Sequence, residues 1–272
     1  MPKTRVLSLL FAVFFVTSCG LLPDKIDETK DWSAQKFYAE ASEALADGNY
    51  ERAIKLYESL EARYPFGQFA TQAQLDVAYA YYKDSQPESA IAAANRFIKL
   101  HPRNEYVDYA YYLKGIVNFN RNVGFITRFI PTDISQRDPG TALESFKDFA
   151  ELVERFPESR YAADARKRLV YLRNNLAMYQ VHVATFYMKR GAYLAAANRA
   201  MIVVEGYQRT PAMKQALEIM VRAYEKMGMT QLSQDAQRVL ALNEAKGTFD
   251  LAAEDKETLG ERFWEFMELD RN

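Results

Sequence analysis

Cys19 is the single cysteine in this chain of 272 residues, and its position suggests a defined chemical use. It closes the tetrapeptide Val16-Thr17-Ser18-Cys19, after an apolar run that begins at Val6 and follows two basic residues. A run of this length with a positive start is typical of a secretory signal peptide and is too short to span a bilayer as a helix. The apolar residue three positions before the cysteine, with small residues between, resembles a bacterial lipobox. We therefore expect cleavage before Cys19 and acylation at Cys19.

Acylation predicts a protein that is held on a membrane through its lipid and does not span it. Gly20 and Leu21 follow the cysteine, so the aspartate typical of retention in the inner membrane is missing, and we expect the periplasmic face of the outer membrane. The predicted segments are a signal peptide at 1–18 and a tether at 19–36. The alternative is that Cys19 is a buried core cysteine, and in either case no second cysteine is present to form a disulfide within the chain.

Composition and motifs argue against several classes of function. The 35 Lys and Arg residues nearly balance the 36 Asp and Glu residues, which gives no electrostatic basis for binding nucleic acid. No HExxH, GxSxG or Walker sequence is present. The only histidines, His101 and His182, are expected to be structural. The sequence thus predicts a protein that is not an enzyme and needs no cofactor or metal.

A helix-turn-helix pattern recurs five times between residues 37 and 247. Each copy has a small residue shortly after the turn, and apolar residues follow it at positions +4 or +7 on the same helical face. These small residues, which we call the register marks, are Ala53, Ala90, Ser145, Ala196 and Ser233. The turn itself falls at Gly48, Gly191 and Gly228, with Ser85 and Gly140 in the same place in the second and third copies. The pattern resembles the tetratricopeptide repeat and predicts an all-α solenoid of five repeats.

Two segments depart from this regular pattern. Residues 118–138 form an apolar insertion between the two helices of the third repeat, which contacts either the solenoid or a partner. Residues 248–272 are predicted to be a spacer and an additional amphipathic helix, because an apolar stripe recurs there at helical spacing. Its members are Leu259, Phe263, Phe266 and Met267. This helix either caps the last repeat or docks on a partner.

An aromatic cluster marks the junction of the first two repeats. Tyr64 and Phe66 lie within the sequence Tyr64-Pro65-Phe66-Gly67, and Tyr82 belongs to a second group of tyrosines. Aromatic rings with hydroxyl tips can form a pocket with apolar walls that suits the aromatic end of a peptide. We therefore predict that Tyr64, Phe66 and Tyr82 bind a peptide. The alternative is that they only pack between repeats.

Several motifs are more specific than the repeat itself. They are Arg63-Tyr64-Pro65-Phe66-Gly67, Ala80-Tyr81-Tyr82-Lys83, Arg96-Phe97-Ile98-Lys99-Leu100, Arg137-Asp138-Pro139, Lys167-Arg168-Leu169-Val170 and Arg190-Gly191-Ala192 followed by Asn198-Arg199. In these motifs the chain resembles the BamD family, the lipoprotein components of the outer-membrane β-barrel assembly (BAM) machinery. The resemblance runs from the lipobox to about residue 240.

The resemblance implies a scaffold whose C-terminal repeats bind the periplasmic domains of BamA, alongside other BAM lipoproteins. It also implies that the N-terminal repeats recognise the C-terminal signal of unfolded outer-membrane proteins. Asn198 and Arg199 match the family's contact region for BamA, whereas the residues alone favour a solvent-exposed surface arginine on the second helix of the fourth repeat. Two other classes remain open, a pilotin for secretin or pilus assembly and a general periplasmic holdase.

Overall fold

The computed structural model describes residues 29–123 and 134–249. The predicted signal peptide, Cys19, the central residues of the insertion and the C-terminal amphipathic stripe lie outside these ranges. The described part contains ten α-helices and no strand. They are α1 (Ala34–Ala46), α2 (Tyr50–Arg63), α3 (Gln68–Lys83), α4 (Pro87–Leu100), α5 (Val107–Val123), α6 (Gly140–Arg155), α7 (Ala162–Lys189), α8 (Tyr193–Gly206), α9 (Ala212–Lys226) and α10 (Thr230–Ala245). A 3₁₀ turn, Ile134–Gln136, precedes α6.

Consecutive helices pack in pairs, so the five predicted repeats are α1–α2, α3–α4, α5–α6, α7–α8 and α9–α10. In four of them the turn between the paired helices is the same. In the first repeat the N–H of Asn49 donates to the carbonyl oxygen of Ala44 over 2.8 Å, which ends α1 in a Schellman motif. This motif needs a left-handed residue, and Ser85 adopts it with φ of 60° where the other three repeats have glycine.

The third repeat is built differently. Gly140 does not occupy a left-handed turn, as its alignment with the other turn residues predicted; it is the first residue of α6. The insertion was predicted to begin at residue 118, but α5 continues to Val123, so the helix includes the first residues of that segment. The helix extends because Asn118 and Phe119 are buried, with the amide of Asn118 donating to Asp148 over 2.8 Å.

The register marks confirm the pairing of helices. Ala53, Ala90, Ser145 and Ala196 are completely buried and Ser233 is 4% exposed. Small side chains there let the paired helices approach closely, and the apolar residues that follow fill three core clusters along the array. The first helix of the fourth repeat, α7, runs for 28 residues without a glycine or a proline. Within the described ranges, no helix is both long enough and apolar enough to cross a membrane.

Candidate functional site

Tyrosines recur on or beside the first helices of the first four repeats, and we call this set the tyrosine row. Its members are Tyr38 on α1, Tyr79 on α3, Tyr109 and Tyr112 on α5, and Tyr161 at the start of α7. All five are half-buried, with part of each side chain still accessible. Repeat solenoids bind extended ligands along such surfaces, where each repeat contributes equivalent side chains.

Ring contacts join the central part of the row. Tyr112 and Tyr161 are stacked, with ring centroids 4.7 Å apart and planes inclined by 18°. The ring centroids of Tyr109 and Tyr161 are 5.5 Å apart. Tyr79 is next to Tyr82, with centroids 6.2 Å apart, so Tyr82 extends the row on α3. Ring contacts thus join the third and fourth repeats, and a separate pair of rings lies on the first helix of the second repeat.

Carboxylates from neighbouring helices hold the tyrosine hydroxyls. Tyr38 donates to Asp76 Oδ2 over 2.8 Å, and Tyr112 donates to Asp164 Oδ2 over 2.8 Å. The same oxygen of Asp164 accepts a bond of 2.7 Å from Nε of the buried Arg168. Asp76 is held in turn by Gln72, whose Nε2 donates to Oδ1 over 3.0 Å. Because each carboxylate has a partner on its own helix, the rings that donate to it are pre-positioned.

Burial raises the pKa of ionisable groups in and beside the row. Burial raises the pKa of Tyr109 above its usual value, and the neighbouring Tyr79 and Tyr161 raise it further. Burial also raises the pKa of Asp76, although the hydrogen bond from Tyr38 opposes this shift. The row therefore presents uncharged hydroxyls and aromatic faces, a combination that suits the backbone and the apolar side chains of an extended peptide.

The three residues predicted to bind a peptide do not meet in one pocket. Tyr64 packs against Phe37 with centroids 6.4 Å apart, and its hydroxyl donates to the carbonyl oxygen of Trp32 over 2.7 Å. Phe66 is 91% exposed just before α3, whereas Tyr82 lies near the other end of this helix of 16 residues. At 1.5 Å per residue, the two ends of α3 are about 24 Å apart.

Asn198 and Arg199 lie on α8, the second helix of the fourth repeat. Asn198 is exposed and lies between Leu194 and Ile202, two exposed apolar residues at spacings of four. We call Leu194, Asn198, Arg199 and Ile202 the α8 surface. An exposed apolar stripe with a central polar residue is typical of a surface that contacts another protein.

Arg199 is half-buried and already oriented at the edge of this surface. Its Nη1 donates to Oε1 of Gln180 on α7 over 3.1 Å. This contact uses Nη1 and a neutral amide oxygen, whereas pairing with a carboxylate uses two parallel N–H bonds of the guanidinium. The bidentate geometry of arginine makes such a pairing specific.

The histidines have structural surroundings. Nε2 of His101 lies 2.8 Å from Oε1 of Gln74, and Nε2 of His182 lies 2.9 Å from Oγ of Ser135. In the described part of the chain, no cluster of three or more His, Cys, Asp or Glu side chains is arranged to hold a metal ion.

Sequence analysis did not single out most of the tyrosine row. A usable signal was present, since the tetrapeptide Tyr-Ala-Tyr-Tyr occurs at 79–82 and again at 109–112. The repeated Ala80 and Ala110 are both fully buried, so the copies have the same helical register and direct their tyrosines to equivalent places. Tyr38 and Tyr161 have no such repeat in their sequence.

Comparisons with known proteins identify the family. A family model described as YfiO, outer membrane lipoprotein, matches residues 30–240. The chain is also 47% identical to the outer membrane protein assembly factor BamD of Neisseria meningitidis serogroup A, a match that covers 89% of this chain and 91% of the relative. The chain belongs to the BamD family. BamD of Vibrio cholerae is 35% identical, with 89% of this chain and 99% of that protein covered. For BamD of Haemophilus influenzae the identity is 31%, with 90% and 93% covered.

Proposed function

We propose that this protein is a non-enzymatic scaffold of outer-membrane β-barrel assembly, anchored to the periplasmic face of the outer membrane through lipid on Cys19. The observation that carries the proposal is the 47% identity, over 89% of the chain, to a protein named as an assembly factor. The lipobox and the family description as an outer membrane lipoprotein support the anchor.

In this proposal the tyrosine row binds segments of unfolded outer-membrane proteins. The strands of such barrels alternate apolar and polar residues, and an extended peptide with this pattern presents side chains to the rings and backbone groups to the hydroxyls. The exposed Phe66 extends the aromatic surface at the start of α3, where Phe69 lies 5.6 Å from the ring of Tyr38. Phe66 and Tyr82 thus contribute at opposite ends of α3. Tyr64 has a structural role and packs at the junction of the first two repeats.

The α8 surface binds the periplasmic domains of BamA in the same proposal. Leu194 and Ile202 supply apolar contact area, and Arg199, held by Gln180, pairs with a carboxylate of the partner. The tyrosine row follows the first helices of the repeats, whereas the α8 surface lies on the second helix of the fourth repeat, so the scaffold can hold a partner and a client together.

The function is tested by affinity purification of the tagged protein from detergent-solubilised outer membranes, followed by mass spectrometry. We expect a barrel protein with periplasmic repeat domains, and other lipoproteins of the machinery, as the main partners. Recovery of a secretin in their place would identify a pilotin. Recovery of many unrelated periplasmic proteins in similar amounts would identify a holdase.

The role of the α8 surface is tested with Arg199→Leu. If Arg199 is desolvated against a carboxylate, its loss leaves that charge unpaired and weakens binding to the isolated periplasmic domains of BamA by roughly 2–5 kcal/mol. Arg222→Leu is the matched control, because Arg222 is exposed on α9 and bonds only within its own helix in the described structure. Equal affinity of the folded Arg199→Leu variant and the parent, at low and high salt, would contradict this role.

The peptide site is tested with Phe66→Ala, which should leave the fold intact because Phe66 is 91% exposed. Removing one aromatic contact should weaken binding of a peptide from the C-terminus of a barrel protein by about 0.5–1.5 kcal/mol. Leu100→Ala is the control. Leu100 is also an exposed apolar residue, but it lies at the end of α4, the second helix of its repeat, and so away from the tyrosine row on the first helices. Unchanged affinity in Phe66→Ala would remove Phe66 from the site.

A further inference from the structure

One side of α10, the last described helix, carries exposed apolar residues. Leu232, Val239 and Leu242 are 45%, 39% and 55% exposed. They lie seven and three residues apart, which places them on one side of the helix. The buried Ser233 and Ala236 face α9, so the exposed side is adjacent to the packed side. A terminal repeat with an apolar outer surface needs a cover, because each repeat of a solenoid buries its faces against its neighbours.

The course of the chain after α10 brings the next residues to this side. Gly247 has a left-handed φ of 61° and ends the helix, so the chain turns back. Thr248 and Phe249 then line a pocket together with Val239 and Asn243 of α10. The ring of Phe249 also lies 5.9 Å from Nζ of Lys214 on α9. The chain therefore leaves the described structure beside the exposed side of α10.

The residues that follow have the pattern needed to cover this side. Leu259, Phe263, Phe266 and Met267 share one face if the segment is helical, and Glu261, Glu265 and Glu268 share the opposite face. Nine residues, 250–258, separate the described structure from the stripe and span up to about 30 Å when extended. The 16 residues of α10 extend about 24 Å, so the stripe can reach any part of the helix.

We propose that residues 259–267 dock as an amphipathic helix on Leu232, Val239 and Leu242 and so cap the fifth repeat. The apolar stripe then covers the exposed side of α10, and the glutamates face solvent as the polar outer surface of the array. This inference does not depend on the proposed function, because it concerns contacts within one chain.

The test measures the rate at which a maleimide labels single thiols in the purified full chain. Cys19→Ala removes the only native cysteine, so Leu242→Cys reports on the exposed apolar side alone. Gln234→Cys is the matched control, on an exposed polar side of the same helix. Each rate is divided by that of the same variant in denaturant. If the segment is docked in all but a minor population, Leu242→Cys should react about tenfold more slowly than Gln234→Cys.

The added changes Phe263→Ser and Phe266→Ser should abolish this protection while circular dichroism shows an unchanged helix content. Equal labelling of Leu242→Cys and Gln234→Cys in the otherwise unmodified chain would overturn the proposal, as would protection that survives both serine changes. Oxidation of the pair Leu242→Cys and Phe263→Cys provides a second readout. A disulfide within one chain supports capping, and a disulfide between chains assigns the side to a second copy and overturns it.

Discussion

Replacing Gly115 with alanine tests the repeat packing at its tightest point. Gly115 lies within α5 and faces α6, where Phe149 is completely buried. A β-carbon at Gly115 would lie 2.5 Å from Cε1 and 2.6 Å from Cδ1 of the Phe149 ring, which is closer than real contacts allow. The ring cannot move freely, because Tyr112 and Phe119 contact it with centroids 6.0 and 6.5 Å away.

Two opposing effects set the magnitude. Alanine is favoured over glycine within a helix by about 1 kcal/mol. Overpacking of a filled core costs about 1–3 kcal/mol. Their difference is a loss of about 0–2 kcal/mol, and the enclosed position of Phe149 favours the upper half of that range. Gly206→Ala is the control, because nothing lies within 4 Å of the added β-carbon. This second change should raise the free energy of unfolding by about 0.4–1 kcal/mol.

Urea denaturation followed by circular dichroism gives both values under the same conditions. Adding Phe149→Leu to Gly115→Ala should recover part of the loss, with a coupling energy of about 0.5–3 kcal/mol in a double-mutant cycle. The reasoning is refuted if Gly115→Ala is as stable as Gly206→Ala, or if the two changes at Gly115 and Phe149 are additive.

Three further predictions concern the register, the tyrosine row and the anchor. Ala53→Leu and Ala196→Leu should each lower the free energy of unfolding by about 1–3 kcal/mol, and thermal melts unchanged in both would contradict the register. Because burial raises the pKa of Asp76, the folded protein holds a proton there that the unfolded chain releases, and this group's contribution to stability falls as pH rises between the two values. Asp76→Asn should therefore flatten the dependence of stability on pH in the range just above the ordinary pKa of an aspartate, and an identical slope would count against a buried Asp76. The intact mass of the mature protein should exceed that of the polypeptide from Cys19 onward by its acyl groups, and a free thiol at Cys19 would exclude the anchor.

Sequence periodicity was sufficient for the repeats because the same physical requirement recurs in each. Close approach of paired helices demands a small residue, so Ala53, Ala90 and Ala196 identify the interface without any coordinates. The third repeat was harder to predict, because Gly140 satisfies the composition of the turn while the chain takes another path there. Local composition does not distinguish a glycine that ends one helix from a glycine that begins the next.

The candidate site was predicted only in part, because it depends on contacts between repeats. Tyr64 and Phe66 precede α3 and Tyr82 lies near its C-terminal end, so the length of that helix keeps Tyr82 apart from the other two. Tyr112 and Tyr161 are 49 positions apart in the chain and stack only because α5 and the start of α7 lie side by side. No repeated spacing in the sequence indicates that these two tyrosines are close in space.

The central claim is that this protein serves the assembly of outer-membrane β-barrels. Its most direct test is depletion of the protein from the bacterium that encodes it, with folded barrel proteins measured by their heat-dependent migration in gels. The account predicts that folded barrel proteins of unrelated sequence fall together and recover when the chain is supplied again. Normal levels of folded barrel proteins after depletion, with loss of a secretin multimer alone, would contradict it.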